Sequence, residues 1–281
     1  MLKFLFKTVI FLIAILSLTV AYSRYIEPCR LIITEISAET GISAAAVAAD
    51  SIKVAVFSDT HFSEYYTLDN FKNVIAAINN RAPDIILFCG DLIDNYGSYM
   101  GNPETISGAL SELTAPMGKY AVFGNHDYGG GARNAYGEIM ESGGFVVLRN
   151  EFVRFDEMKL NLIGLDDFIF RYGDANLARS GSLSDYFNFL FCHEPDIIDS
   201  ILDSDVDFMT AGHTHGGQIN IPGYTHIYYP PYGQNYTKGV YRFENDRQTT
   251  LYVNSGLGTT KLPFRFMSAP EITFITLQYQ S

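Results

Sequence analysis

Short apolar runs recur along the chain, and many stop abruptly at Gly, Asp, Asn or His. Residues 52–57, 85–88 and 120–123 are such runs, built, apart from Lys53, from Val, Ile, Leu, Phe, Ala and Tyr. Between the first two, Phe71, Val74, Ile75 and Ile78 recur at helical spacing within residues 68–79, the pattern of a helix with one buried face. Residues 105–113 read as a second helix. Short, continuously apolar strands alternating with amphipathic helices predict an α/β domain with a largely parallel sheet. The second half is richer in strands, at 145–148, 152–155, 159–163, 186–191, 206–210, 239–243, 251–254 and 272–277. Two sheets packed face to face with helices outside would use all of these runs. One large mixed sheet would use them too, and periodicity does not choose between the two.

The first residues follow a different rule. Lys3 and Lys7 form a basic flank, and residues 8–22 are a continuous apolar stretch of 15. That is short of the ~20 residues of a spanning helix, but Phe4 extends it and Lys7 can snorkel to the interface. Residues 1–23 therefore read as an N-terminal membrane anchor, with a cleaved export signal ending near Ala21-Tyr22-Ser23 as the alternative. Arg24 and Arg30 balance Lys3 and Lys7, so positive charge gives no orientation across the membrane. Residues 24–50 read as a connecting segment, with an extended apolar piece at Leu31-Ile32-Ile33 and an Ala-rich stretch at 43–50, and the catalytic domain is expected over residues 51–281.

Composition narrows the function. The 281 residues are 47% apolar and 14% aromatic, ample for one large core. A formal net charge of −12 argues against a nucleic-acid partner, which needs a basic surface. It leaves room for an anionic substrate if bound cations dominate the local field. Cys29, Cys89 and Cys192 are too few and too scattered for a disulfide framework, and Cys89 and Cys192 read as buried small hydrophobes. Nothing in the pattern specifies an oligomeric state.

The chemistry lies where the apolar runs stop. Five of the six histidines fall in four short motifs: Asp59-Thr60-His61, Gly124-Asn125-His126-Asp127, Cys192-His193-Glu194-Pro195 and Gly212-His213-Thr214-His215. Gly90-Asp91 lies between the first two. In a parallel sheet, ligands bind beyond the carboxyl ends of the strands, and each motif occupies that position. Asp, His and Asn side chains in this number can hold two divalent cations. Two carboxylates and one hydroxide would leave residual positive charge for a phosphate anion. Metals ~3.5–4 Å apart can activate a bridging water, lowering its pKa toward ~7, and hold phosphate oxygens for in-line attack. A lone D-x-H or H-x-H carries little information; five histidines in this order, each behind a strand, carry a great deal.

This order of D-x-H, G-D, G-N-H-D, H and G-H-x-H resembles the calcineurin-like metallophosphoesterases over residues 52–277. The resemblance implies a four-layer α/β/β/α sandwich. It implies one metal on Asp59, His61, Asp91 and His215, and a second on Asp91, Asn125, His193 and His213, with Asp91 bridging. It makes His126 the general acid or transition-state stabiliser, with Asp127 orienting its imidazole. The ligand set suits Mn²⁺, Zn²⁺ or Fe. Tyr25-Ile26-Glu27-Pro28, Gly216-Gly217-Gln218, residues 256–260 and Pro270-Glu271-Ile272 are similar to membrane-anchored bacterial members akin to UDP-2,3-diacylglucosamine hydrolases. That subgroup implies a lipid-linked pyrophosphate substrate. A general phosphodiesterase or phosphomonoesterase, and a non-catalytic scaffold on the same fold, are the alternatives.

Lesser features remain. Residues 224–236, with Tyr224, Tyr228, Tyr229, Pro230, Pro231, Tyr232 and Tyr236, read as a packed loop or a substrate wall, and Tyr65 and Tyr66 likewise. His226 reads as structural or exposed. Asp166 and Asp167 read as turn or capping residues. Arg133 and Arg265 read as surface residues, with phosphate contact as the alternative.

Overall fold

The computed structural model describes residues 1–221 and 230–280. Tyr224, His226, Tyr228 and Tyr229 lie outside the described residues. Among the described residues, twelve strands form two sheets. The first contains β1 (Ile32–Ser43), β2 (Ser51–Phe57), β3 (Ile85–Phe88), β4 (Lys119–Ala121), β5 (Val146–Val147) and β12 (Glu271–Gln280), in the order β1-β12-β2-β3-β4-β5. The second contains β6 (Glu151–Phe155), β7 (Leu160–Gly164), β8 (Phe187–Phe191), β9 (Phe208–Ala211), β10 (Gly239–Arg242) and β11 (Thr250–Val253), in the order β10-β11-β9-β8-β7-β6. In the first sheet β2 to β5 run parallel, and the parallel pair β1–β12 runs against β2; in the second, a parallel centre is edged by antiparallel pairs, β10 against β11 and β6 against β7.

Alternation along buried strands sorts side chains into layers. In β2, Val54 and Val56 face the core between the sheets, where they meet Phe189, Phe191 and Leu162. Ala55 and Phe57 point the other way, into a core under α2 (Leu68–Asn79), α3 (Pro103–Ser111) and α5 (Tyr136–Ser142). On the second sheet, Leu190, Met209 and Leu251 turn outward onto α6 (Asn176–Gly181) and the short 3₁₀ helix Pro195–Ser200. These three apolar layers are bounded by helices on both outer faces, which gives the α/β/β/α sandwich. Cys89 and Cys192 are buried in two of these layers, and all three cysteines are free.

The connecting segment of residues 24–50 turns out to carry structure of its own. Its apolar piece becomes β1, which pairs in parallel with β12 from Ile32 opposite Glu271 onward. β1 crosses the sheet edge at half-buried positions, a pattern too weak to read without its partner. The first helix, α1 (Leu2–Ala21), has no buried residue and is long and apolar enough to cross a membrane.

Candidate metal centre

The loops after β2, β3, β4, β8 and β9 all open at one end of the sandwich. Close backbone packing there fixes the spacing. Gly90 has φ +89°, and a Cβ on it would lie 2.5 Å from the backbone nitrogen of Gly124. A Cβ on Gly124 would collide with the Asp91 carboxylate. Glycine before Asp91 and before Asn125 is therefore what lets these two strand ends touch. Asp59, His61, Asp91, His213 and His215 all have positive φ, between 43° and 72°. Such clustered strain in non-glycine residues marks positions whose side-chain direction matters more than backbone comfort.

Two groups of donor atoms result. Asp59 Oδ1 lies 3.9 Å from His61 Nε2 and 3.5 Å from His215 Nε2, and the two imidazole nitrogens are 3.1 Å apart. His193 Nε2 lies 3.2 Å from Asp91 Oδ2, 3.2 Å from Asn125 Oδ1 and 3.1 Å from His213 Nδ1. Asp91 Oδ2 is also 3.5 Å from His61 Nε2, which sets this carboxylate between the groups. His126 comes within the same cluster of donor atoms as His61 and Asp91, all within 4.8 Å.

The second group can be tested as a cation site from its own hydrogen bonds. His193 Nδ1 sits 2.7 Å from the Cys89 carbonyl, and His213 Nε2 sits 2.8 Å from the Pro231 carbonyl. A carbonyl only accepts, so each ring carries its proton there. Of the nitrogens that face each other, His213 Nδ1 is a bare lone pair, whereas against burial Asp91 and Asp59 hold His193 well above its usual value, so its Nε2 carries a proton in the metal-free protein. Beside them are the Asp91 carboxylate and an Asn125 oxygen. Three acceptors thus converge on one displaceable proton, and a divalent cation that takes its place gains four ligand atoms.

Charge follows the same logic. Burial by itself would raise the carboxyls of Asp59 and Asp91, but the surrounding histidines hold both below the ordinary range. Against burial, Asp59, Asp94 and Asp91 push His61 up to about 9. Burial, then the neighbouring His193, holds His213 down to about 4. Burial first, then His61 and Arg265, hold His215 well below its usual value despite Asp59.

Asp127 departs from its expected part. No hydrogen bond joins it to the His126 ring among the described residues. Its buried carboxylate accepts the backbone N–H groups of Gly124 at 2.8 Å, Asp91 at 2.9 Å and Leu92 at 3.0 Å. Asp127 thus caps α4 (Asn125–Gly129) and pins the turn that carries Asp91. Its position two residues after Asn125 brings it under the helix rather than beside the ring.

The orienting group for His126 is Asp94, which sequence reasoning missed. The Asp94 carbonyl lies 2.6 Å from His126 Nδ1. Its carboxylate lies 3.1 Å from His61 Nδ1, close enough for an ion pair though not aligned as a hydrogen bond, and accepts from Thr260 Oγ1 at 3.0 Å. Asp94 stands three residues beyond Asp91 in the same loop, the only local signal available.

Arg265 also differs from its expected surface place. It is 0% exposed. Its guanidinium donates to the carbonyls of Gly258 at 2.6 and 2.9 Å and Ser268 at 2.9 Å, and Nη2 lies 3.3 Å from His215 Nδ1. Burial lowers it to about 10. Arg133 is exposed and stacks over Tyr172 at 5.0 Å. Asp166 accepts from Tyr128 and Arg149, and Asp167 accepts the Phe170 N–H within a tight turn. Tyr66 is buried against Phe62, whereas Tyr65 is exposed beneath Arg24. Of the aromatic loop, Pro230 and Pro231 line the metal cleft and Tyr236 packs on the second sheet.

The cleft over the donor groups has a volume of about 620 Å³. Its floor is polar, with Asp91, Asn125, His126, His213 and His215. Its walls are apolar, with Ile169, Phe170, Ile219, Pro230, Pro231 and Leu262.

Fold and site together define a hydrolase of phosphoric esters on a two-sheet α/β sandwich. The profile of the calcineurin-like phosphoesterases matches residues 52–217, and the chain belongs to that family. It is 40% identical over 260 residues to an uncharacterised metallophosphoesterase of Bacillus subtilis (strain 168), YkuE, covering 92% of this chain and 89% of that one. It is 28% identical to the phosphodiesterase YaeI of Escherichia coli (strain K12), covering 80% and 82%. It is 25% identical to the UDP-2,3-diacylglucosamine pyrophosphatase LpxG of Chlamydia trachomatis serovar D, covering 94% of each chain.

Proposed function

We propose that this phosphoesterase cleaves a phosphodiester or pyrophosphate bond in an amphiphilic substrate. One divalent cation would be held by Asp59, His61, Asp91 and His215, and a second by Asp91, Asn125, His193 and His213. The observation that carries this reading is the convergence of Asp91, Asn125 and His213 within 3.1–3.2 Å of His193 Nε2 on the floor of a cleft with apolar walls. Bound cations of the Mn²⁺, Zn²⁺ or Fe type supply Lewis acidity and make hydroxide available near neutral pH.

The remaining steps belong to side chains. His126 donates its Nδ1–H in a hydrogen bond to the Asp94 carbonyl, which leaves Nε2 toward the cleft. Protonated there, His126 can pass a proton to the leaving oxygen. Asp127 holds the Asp91 turn and so acts as a positioning residue. Ile169, Phe170 and Leu262 exclude water beside the reacting phosphate and suit an acyl or other apolar group on it.

A UDP-2,3-diacylglucosamine-like pyrophosphate is the first substrate to try, supported by the apolar walls and by similarity to LpxG. A general phosphodiesterase is the second reading, supported by similarity to YaeI. The α1 helix supports a membrane anchor, with an export signal as the alternative. The test is hydrolysis of bis-p-nitrophenyl phosphate and UDP-2,3-diacylglucosamine by the full chain, with and without Mn²⁺, beside Asp91→Ala. Metal-dependent UMP release that Asp91→Ala abolishes supports the first reading. Turnover of the diester alone supports the second. No turnover of either with cations bound removes both substrates.

A further inference from the structure

The anchor helix does not end in a tether. Beyond Ala21 the backbone continues as one π-helical turn, Tyr22–Ile26, and then a 3₁₀ turn, Glu27–Cys29. This junction is bonded to the wall of the metal cleft. The Ser23 carbonyl accepts the Arg265 N–H at 2.9 Å, and Glu27 Oε1, in a side chain 3% exposed, accepts the Ser268 N–H at 2.7 Å. Arg24 stacks over Tyr65 at 4.9 Å. The same wall, residues 257–268, lends Leu262 to the cleft and, through Arg265, reaches His215. One loop therefore has the anchor junction on one side and the candidate metal centre on the other.

That attachment sets a depth. Even at the α-helical rise of ~1.5 Å per residue, which a π turn does not reach, Tyr25 stands no more than about 6 Å beyond Ala21 along the helix, within the headgroup layer of one leaflet. Met267 adjoins Ser268, which is bonded to Glu27, so it lies at nearly the same level. Tyr25 lines a small cleft with Pro263, the neighbour of Leu262, so Leu262 stands beside this level, and the side chains here are apolar and exposed: Tyr25 70%, Ile26 53%, Leu262 56% and Met267 57%. Exposed apolar side chains gathered at one place mark a contact surface, and Tyr favours the bilayer interface. Arg24 and Arg30 sit in the same segment and suit anionic headgroups.

We propose that Tyr25, Ile26, Leu262 and Met267 form a face that rests in the bilayer surface and sets the rim of the metal cleft at headgroup depth. The partner is the lipid bilayer itself, and the apolar part of a substrate enters over Leu262 without leaving the membrane. This rests on the reading of α1 as a membrane helix, and the experiment separates the two.

The chain has no tryptophan, so a single introduced one reports alone. Full-length Leu12→Trp, Leu262→Trp, Met267→Trp and Phe152→Trp would be reconstituted in phosphatidylcholine–phosphatidylglycerol vesicles with and without brominated acyl chains. Phe152, on β6 at the edge of the second sheet, is the distant control. The expected result is strong quenching of Leu12→Trp, partial quenching with blue-shifted emission of Met267→Trp and Leu262→Trp, and none for Phe152→Trp. Quenched Leu12→Trp with Met267→Trp and Leu262→Trp emitting as in water overturns the membrane face while leaving the anchor intact. An unquenched Leu12→Trp overturns the anchor and the face with it. Blue-shifted but unquenched emission at Met267 and Leu262 assigns the face to a protein contact and overturns the bilayer.

Discussion

The carboxylate of Asp127 accepts the backbone N–H of Asp91 at 2.9 Å, so the residue next to His126 in sequence serves a different strand end in space. Together with Leu92 and Gly124, Asp91 gives Asp127 three buried donors. Asp127→Ala leaves them without an acceptor, each unsatisfied group costing ~1–3 kcal/mol. Chemical unfolding of the solubilised full chain is expected to show a loss of about 3 kcal/mol or more. Metal content by mass spectrometry is expected to fall with it, because the Asp91 turn loosens. An unchanged unfolding midpoint would remove this role.

His126 and Asp94 separate proton transfer from metal holding. His126→Ala is expected to lower kcat by ~10²–10⁴, the usual contribution of a general acid, with metal content unchanged. Asp94→Ala keeps the carbonyl that holds His126 but loses the carboxylate beside His61. Its expected defect is a ~10–100-fold weaker metal affinity, the range for a lost outer partner of a histidine ligand. Titration with Mn²⁺ distinguishes them: excess metal restores Asp94→Ala and not His126→Ala.

Protons compete with cations at His61. Its folded value of about 9 exceeds the unfolded 6.5 in the metal-free protein. A raised folded value gives stability that is full below pH ~6.5 and lost as pH rises through ~9. Thermal unfolding of chelator-treated protein should therefore show a midpoint that falls between those values. Metal binding must displace that proton, so apparent affinity from this group should rise by about tenfold per pH unit up to pH ~9. Isothermal titration in two buffers of different ionisation heat would count the proton. No proton released at pH 7.5 would contradict the charge state assigned to His61.

Arg265 is a buried cation held by carbonyls and, among the described residues, by no ion pair within 4 Å. Arg265→Met removes the donors to Gly258 and Ser268 and is expected to cost about 2–4 kcal/mol in chemical unfolding. Arg265→Lys should rescue little, because an ammonium lacks the planar fork that reaches both carbonyls. Full rescue by lysine would show that charge alone matters there.

Much of the fold can be read from the residues. The helix at residues 68–79 and the strands at 52–57 and 85–88 emerge at those positions, because their apolar period is local and strong. Of β1 only the extended piece at Leu31-Ile32-Ile33 emerges; its remaining length does not, since those residues are mostly half-buried or exposed and their reason for being extended is β12, more than 230 residues away. Tyr25-Ile26-Glu27-Pro28 is legible as a motif, but its purpose depends on Ser268.

The sequence by itself determined which side chains stand at strand ends and therefore which chemistry gathers there. A strand's period and its terminating Asp, Asn or His are properties of neighbouring residues. Only the tertiary structure decided for two sheets over one, buried Arg265, moved Asp127 from ring to backbone and put Asp94 behind His126. Each of these turns on which carbonyl, N–H or carboxylate from a distant loop fills a desolvated space. A buried polar group takes the partner that packing brings within about 3 Å, and no pattern along the chain encodes that meeting.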